Sequence, residues 1–235
     1  VDGIDDLRYD VLTQINYFSA ELEPDGTFSS LHGWGDEASE QLIALAHAQG
    51  CRVCLVATNF DDDELHDLLS SPSNRATAVE NLVEQVVAMN ADGVDLDFEG
   101  MDSADKQDMV LFTQELQAAL EAAIPSPTLT QATPAIDWSG AYDYDELLLA
   151  STGLFFRGYG YHWSGGDPGP LAPKEGSTLW GPYSLAWSIE DYIEYGGYEN
   201  RHGVYMGLPL YGRDWPSVDD SIPGEATDTS DAIVY

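Results

Sequence analysis

Basic residues are scarce in this chain of 235 residues. Eight Lys and Arg stand against 42 Asp and Glu, the formal net charge is −34, and Lys106 and Lys174 are the only lysines. So few cations leave nothing to hold a phosphate backbone or an anionic lipid surface, which excludes nucleic acid and acidic membranes as partners. Cysteine is equally scarce: Cys51 and Cys54 are the whole complement, both inside the apolar run 51–56. That run reads as a strand, where residues three apart point to opposite faces. A disulfide between them is therefore not expected, and two thiols without paired histidines make a poor metal site, so buried free thiols are the expectation. No stretch approaches 18 consecutive apolar residues, and the amino terminus has no basic region followed by an apolar one. The expectation is a soluble chain without a signal peptide. Internal repeats and low-complexity linkers are lacking too, so residues 1–235 are expected to form a single domain.

What is present is enough apolar matter for one core: 43% hydrophobic and 11% aromatic residues, above the range in which a chain stays disordered. The acids run from Asp2 to Asp231 rather than gathering in a tail, so the charge belongs to the whole surface. Such a composition resembles that of halophile proteins. Self-repulsion opposes the compact state at low ionic strength and is relieved as salt shortens the Debye length, to about 3 Å near 1 M.

Apolar, β-branched runs alternate with amphipathic segments. Strands are predicted at Val11–Ser19, Arg52–Asn59, Gly93–Glu99, Thr128–Ala135, Leu154–Trp163 and Gly203–Tyr211. Helices are predicted at Glu37–Gln49, Asn74–Asn90, Lys106–Ala123 and, more weakly, Ser184–Tyr195. The stretch Gly165–Pro182, with four prolines and five glycines, reads as a long loop. The repeated β-then-α order predicts an α/β fold on a parallel sheet, whose catalytic groups gather at the carboxyl ends of the strands.

The sharpest feature is 92–99, Asp-Gly-Val-Asp-Leu-Asp-Phe-Glu. Its period is two: Asp95, Asp97 and Glu99 share one face in steps of about 6.6 Å, and Val94, Leu96 and Phe98 share the other. In a barrel the apolar set packs under helices and the acids point inward. Three carboxylates in a confined space cannot all ionise cheaply, so at least one is expected to hold a proton near neutral pH. In so acidic a chain a triplet at this spacing arises by chance about once, so a solvated acidic strand is the competing reading of these residues taken alone.

The same octapeptide resembles the Asp-x-x-Asp-x-Asp-x-Glu signature of glycoside hydrolase family 18. Two later segments are similar to that family in the right order. They are 158–163, Gly-Tyr-Gly-Tyr-His-Trp, with the proline-rich 168–173, and 207–215, Gly-Leu-Pro-Leu-Tyr-Gly-Arg-Asp-Trp. The resemblance spans about residues 10–215. It implies a TIM (β/α)8-type barrel that hydrolyses β-1,4 links next to N-acetylglucosamine with retention, the substrate's own acetamido oxygen acting as nucleophile. By resemblance Glu99 is the general acid and base. Asp97 holds the acetamido N–H, Asp95 shares its proton, and Tyr159 contacts the acetamido carbonyl. Tyr211 and Arg213 are expected to line the substrate groove, and Trp138, Trp163 and Trp215 to offer faces to sugar rings. Asp92 reads either as a helix-to-strand turn residue or as part of the site.

The chain departs from the family pattern at Arg157 and Gly160, where the family carries Met and Asp. It offers no apolar run before Val11 for a first barrel strand and none after Asp214 for a last one. The expectation is about six strands, either in a fragment of a longer product, the favoured reading, or in an open barrel whose edges are covered by something else. No metal or other cofactor is implied. The expected enzyme is a secreted, extracellular monomer that hydrolyses chitin or chito-oligosaccharides internally. Peptidoglycan- or N-glycan-cleaving N-acetylglucosaminidases share the same residues, and a chitinase-like lectin without activity is the alternative from another class. From the charge alone, the melting temperature is expected to climb steadily between low salt and molar KCl. A thermal scan series checks this, and a flat profile would contradict it.

Overall fold

The computed structural model describes residues 3–234. The described residues form two compact units, 3–132 with 139–153 and 133–138 with 154–234.

The first unit holds β1 (Gln14–Leu22), β2 (Phe28–Ser30), α1 (Glu37–Ala48), β3 (Arg52–Asn59), α2 (Asp62–Ser70), α3 (Pro72–Met89), β4 (Gly93–Phe98), α4 (Lys106–Ala123), most of β5 (Thr128–Pro134) and α5 (Tyr144–Ala150). Strands β1, β3, β4 and β5 pair in parallel in that order, and β2 lies antiparallel on β1. β3 is buried from Val53 to Asn59, as expected of a parallel strand covered on both faces. Its thiols are free and buried, as the sequence indicates.

Helices α1, α2 and α3 each start where a short polar side chain satisfies an open N–H group. The Asp36 carboxylate accepts from Ser39 N–H, Asp61 from Glu64 N–H and Ser71 from Asn74 N–H. α2 was not foreseen, because its first turn, Asp62-Asp63-Glu64, looks like solvated loop. At a helix N-terminus those charges are favourable. α3 buries Ala78, Leu82 and Val86, and α4 buries Met109, Phe112, Leu116 and Leu120, the i, i+3, i+4 stripe of a helix packed on one side. Between them lies Arg75, 5% exposed. It donates two hydrogen bonds to Glu115, at 3.0 and 3.1 Å, and one to the Leu69 carbonyl at 2.6 Å, so that α3, α4 and the end of α2 share one guanidinium.

The second unit holds the end of β5, β6 (Gly153–Arg157) from Leu154, α6 (Leu185–Gly196), β7 (Val204–Met206) and a hairpin of β8 (Tyr211–Asp214) with β9 (Asp231–Val234). β6 and β7 pair in parallel. Tyr192 of α6 is fully buried, its ring 5.2 Å from that of Phe156 and its hydroxyl 2.7 Å from both Thr133 Oγ1 and the Pro134 carbonyl.

Six strands therefore run in parallel ladders among the described residues, matching the number expected. Two predicted strands are shorter than the apolar runs suggest. Leu154–Trp163 is strand only to Arg157, because Gly158 and Tyr159 turn back on the carbonyls of Phe156 and Arg157. Within Gly203–Tyr211, β7 covers only 204–206: Gly207 N–H still reaches the Phe156 carbonyl at 2.9 Å, Pro209 has no N–H to donate, and Tyr211 begins a separate strand. Residues 11–13 form no strand, and 165–182 is a loop with one isolated bridge.

Gly93, at the start of β4, has its backbone against β5: a Cβ there would lie 1.8 Å from the Thr128 carbonyl oxygen. Gly93→Ala must therefore push two central strands apart. The expected loss is about 1–3 kcal/mol of unfolding free energy, read from urea denaturation; a loss near zero would contradict this packing.

Candidate active site

On β4 the predicted alternation holds. Val94, Leu96 and Phe98 are at most 1% exposed, while across the strand Asp95 is buried and Asp97 and Glu99 are half-buried. A solvated acidic strand would not bury both faces, so that reading fails. The parallel register sets Asp95 opposite Thr130 of β5, whose hydroxyl donates to its carboxylate. Burial pushes the Asp95 pKa up to about 6. The Thr130 hydrogen bond opposes that rise, the charge of Asp97 adds to it, and a hydrogen bond with the Asn16 side chain opposes it. One carboxyl of the triplet thus titrates close to neutrality, chiefly because it is buried and only secondarily because Asp97 stands beside it.

Glu99 follows the last residue of β4, and its N–H donates to the Asn59 carbonyl of β3 at 3.1 Å. Gly100 then takes a left-handed conformation, φ +100°, which lets the chain leave the strand at once. The following loop is held by Asp105, 2% exposed, which meets Nδ1 of His66 on α2 at 2.7 Å and accepts from Asp102 N–H at 3.3 Å. That contact raises the His66 pKa.

Asp92 sits at the far end of the strand. Its carboxylate accepts from Val53 N–H at 2.7 Å and meets His47 Nε2 at 2.8 Å, while its own backbone pairs with Val53 and Thr128. This is the turn residue of the two readings, fixing where β4 begins.

In the second unit Tyr159 follows β6 and meets Tyr211 edge-on, centroids 6.2 Å apart. Tyr211 and Arg213 do not close the β7 strand as expected; they belong to β8. The Arg213 guanidinium lies 5.9 Å from the Tyr211 ring centre and donates to Ser230 Oγ at 3.1 Å, which braces the hairpin. Trp215 follows β8 and is half-buried. Trp138 is 74% exposed and forms an edge-to-face chain with Tyr183 and Trp187, at 5.0 and 4.9 Å. Trp163 is 62% exposed, lying over the Gly165-Gly166 turn, where a Cβ on Gly165 would come within 2.3 Å of the ring. Arg157 ends β6 half-buried. At Gly160 a Cβ would meet nothing within 4 Å.

Sequence reasoning missed Asn16, Thr130, Asn59 and Tyr183. For Asn16, Thr130 and Asn59 the only available signal was strand register, which fixes partners once the pairing is known; Tyr183, in the loop before α6, had none. Among the described residues no group of three or more His, Cys, Asp or Glu side chains is arranged to hold a metal ion.

Residues 2–234 match glycosyl hydrolases family 18. The chain belongs to this family. It is 30% identical over 166 residues to the candidate sporulation-specific glycosylase YdhD of Bacillus subtilis (strain 168), covering 68% of this chain and 36% of that protein. The chain therefore spans about a third of the length of that relative. Among solved structures, the immunomodulatory active chitinase of Trichuris suis superposes with a TM-score of 0.85 at 21% identity, over 96% of this chain and 66% of the other. Catalytic domain 2 of the group II chitinase of Ostrinia furnacalis, solved as a mutant in complex with (NAG)5, gives 0.82 at 20% identity, over 95% and 63%. These likenesses go with a mixed α/β fold carrying six parallel strands among the described residues, consistent with an incomplete barrel of the TIM type.

The Asp95 shift carries a sign. A carboxyl with a raised folded pKa favours the native state while protonated and weakens it once the unfolded chain ionises and the folded one does not. Asp95 therefore withdraws up to about 3 kcal/mol of stability from wild type as pH rises from about 4 to about 6. Asp95→Asn should escape this loss, overtaking wild type across that window and keeping a constant lead above it. Denaturation midpoints at pH 4, 5, 6 and 7.5 check this; parallel curves would contradict it.

Proposed function

We propose that the chain hydrolyses β-1,4-N-acetylglucosaminide links in chitin or chito-oligosaccharides, with retention and by substrate assistance. Membership of family 18 supports a glycoside hydrolase; the activity, the substrate and the residue roles are this proposal. The observation that carries it is the β4 face on which a buried Asp95, titrating near 6, stands behind Asp97 and Glu99.

Glu99, at the open end of the strand, protonates the glycosidic oxygen as the bond breaks and then takes a proton from the incoming water. The nucleophile is the substrate's acetamido oxygen, so the protein needs no second attacking carboxylate. Asp97 holds the acetamido N–H and offsets the positive charge of the oxazolinium intermediate. Asp95 takes or gives a proton behind it, which its pKa permits near neutral pH. Tyr159 orients the acetamido carbonyl, Tyr211 and Arg213 line the groove, and the exposed faces of Trp138 and Trp163 and the ring of Trp215 stack on sugars.

The proposal extends to a secreted, monomeric enzyme whose acidic surface is matched to high salt. An N-acetylglucosaminidase acting on spore glycan is the second reading, favoured by the likeness to YdhD.

The test is cleavage of a fluorogenic chitotriose glycoside in molar KCl, beside calorimetric binding of chito-oligosaccharide. Glu99→Gln should bind as wild type does and lose at least about 1,000-fold in turnover. Asp97→Asn should lower kcat more than it raises KM, because its contact strengthens as the oxazolinium forms. Turnover unchanged in Glu99→Gln would remove the assignment, and binding without turnover in wild type would leave a lectin.

A further inference from the structure

We infer that Tyr142 is a positioning residue for Glu99, acting through the peptide bond that precedes the acid; the inference rests on the reading of Glu99 as the general acid. The argument starts from the sheet. β4 pairs with β3 as far as Asn59 opposite Phe98, but with β5 only as far as Gln131 opposite Leu96. Beyond Leu96, therefore, β4 keeps a strand partner on one edge and loses it on the other. A trans peptide unit points its N–H and C=O in opposite directions. The unit joining Phe98 to Glu99 directs its N–H at β3, where it donates to the Asn59 carbonyl at 3.1 Å. Its carbonyl consequently faces the side β5 has left.

A carbonyl buried there without a donor would carry the full desolvation cost. The donor comes from the segment after β5. Tyr142, 8% exposed, gives its hydroxyl to the Phe98 carbonyl at 2.8 Å, and Phe98 itself is 1% exposed. Tyr142 thus does for one peptide unit what the departed strand does for the units before it. It fixes the plane from which the Glu99 side chain springs, immediately before Gly100, whose left-handed turn would otherwise let that plane rotate. A general acid must keep its proton within hydrogen-bond reach of one oxygen, and a shift of about 1 Å costs roughly 100-fold in rate. The residue acts on the rate through Glu99 without itself touching the sugar.

The experiment compares Tyr142→Phe with Tyr9→Phe in the full chain. Tyr9 is 9% exposed and its hydroxyl donates to the Ile4 carbonyl at 2.7 Å, so each variant loses one buried hydrogen bond of the same kind. Tyr142→Phe should lower kcat roughly 10- to 100-fold with KM within about twofold, and should move the kcat–pH profile. It should also speed amide hydrogen exchange at Glu99 at least about tenfold. Tyr9→Phe should change none of these. Equal kcat, pH profile and Glu99 exchange in the two variants would overturn the inference.

Glu99→Gln is run alongside. If it turns over normally, the reading of Glu99 fails, and amide exchange alone decides whether Tyr142 holds that peptide. Should Tyr142→Phe fail to fold, 3-fluorotyrosine at position 142 replaces it, keeping the donor and altering its acidity. A displaced kcat–pH profile then supports the inference and an unmoved one overturns it.

Discussion

A carboxyl held out of water on a central strand sets the terms for everything around it. Asp95 lies on β4 with the apolar side chains of Val94, Leu96 and Phe98 on the opposite face, and burial raises its pKa to about 6. That cost is bearable only because register supplies polar partners, Thr130 from β5 and Asn16 from β1. Register in turn depends on Gly93, which lets β4 and β5 approach, and on Asp92, which ties the start of β4 to β3 through Val53 N–H. The chemistry at one end of the strand is thus prepared by packing at the other.

The same acidity that supplies the site burdens the fold, and one buried cation meets two acids at once. Arg75 joins three helices through Glu115 and Leu69, with Asp108 3.9 Å away. His66 meets Asp105 beneath the loop that follows Glu99. Elsewhere the acids cap helices or fill their first turns, as Asp36, Asp61 and Asp62 do, where the helix dipole favours a negative charge. Much of the negative charge therefore has a local role.

Elements with a strong period were legible in the sequence. β3 and α4 match the predicted boundaries, and β4 does within one residue, because their apolar spacing admits one reading. α2 and the short α5 were hidden, one by its charged first turn and the other by its length. The ends of β6 and β7 were overread because tyrosines and leucines continue past the glycines where pairing stops. The acid triplet was visible as a pattern, and the family signature gave it meaning. Which acid is the buried one was invisible, since that depends on where β5 leaves the sheet. Thr130, Asn16 and Tyr142 owe their places to the same tertiary geometry.

The central claim is that Asp95, buried on β4 behind Asp97, titrates near 6. The most direct measurement is a 13C carboxyl titration of the aspartates by NMR, in wild type and in Asp95→Asn. The account predicts one apparent pKa near 6 that disappears in the variant. If every aspartate in wild type titrates below about 4.5, the buried acid is ionised throughout and the account is wrong.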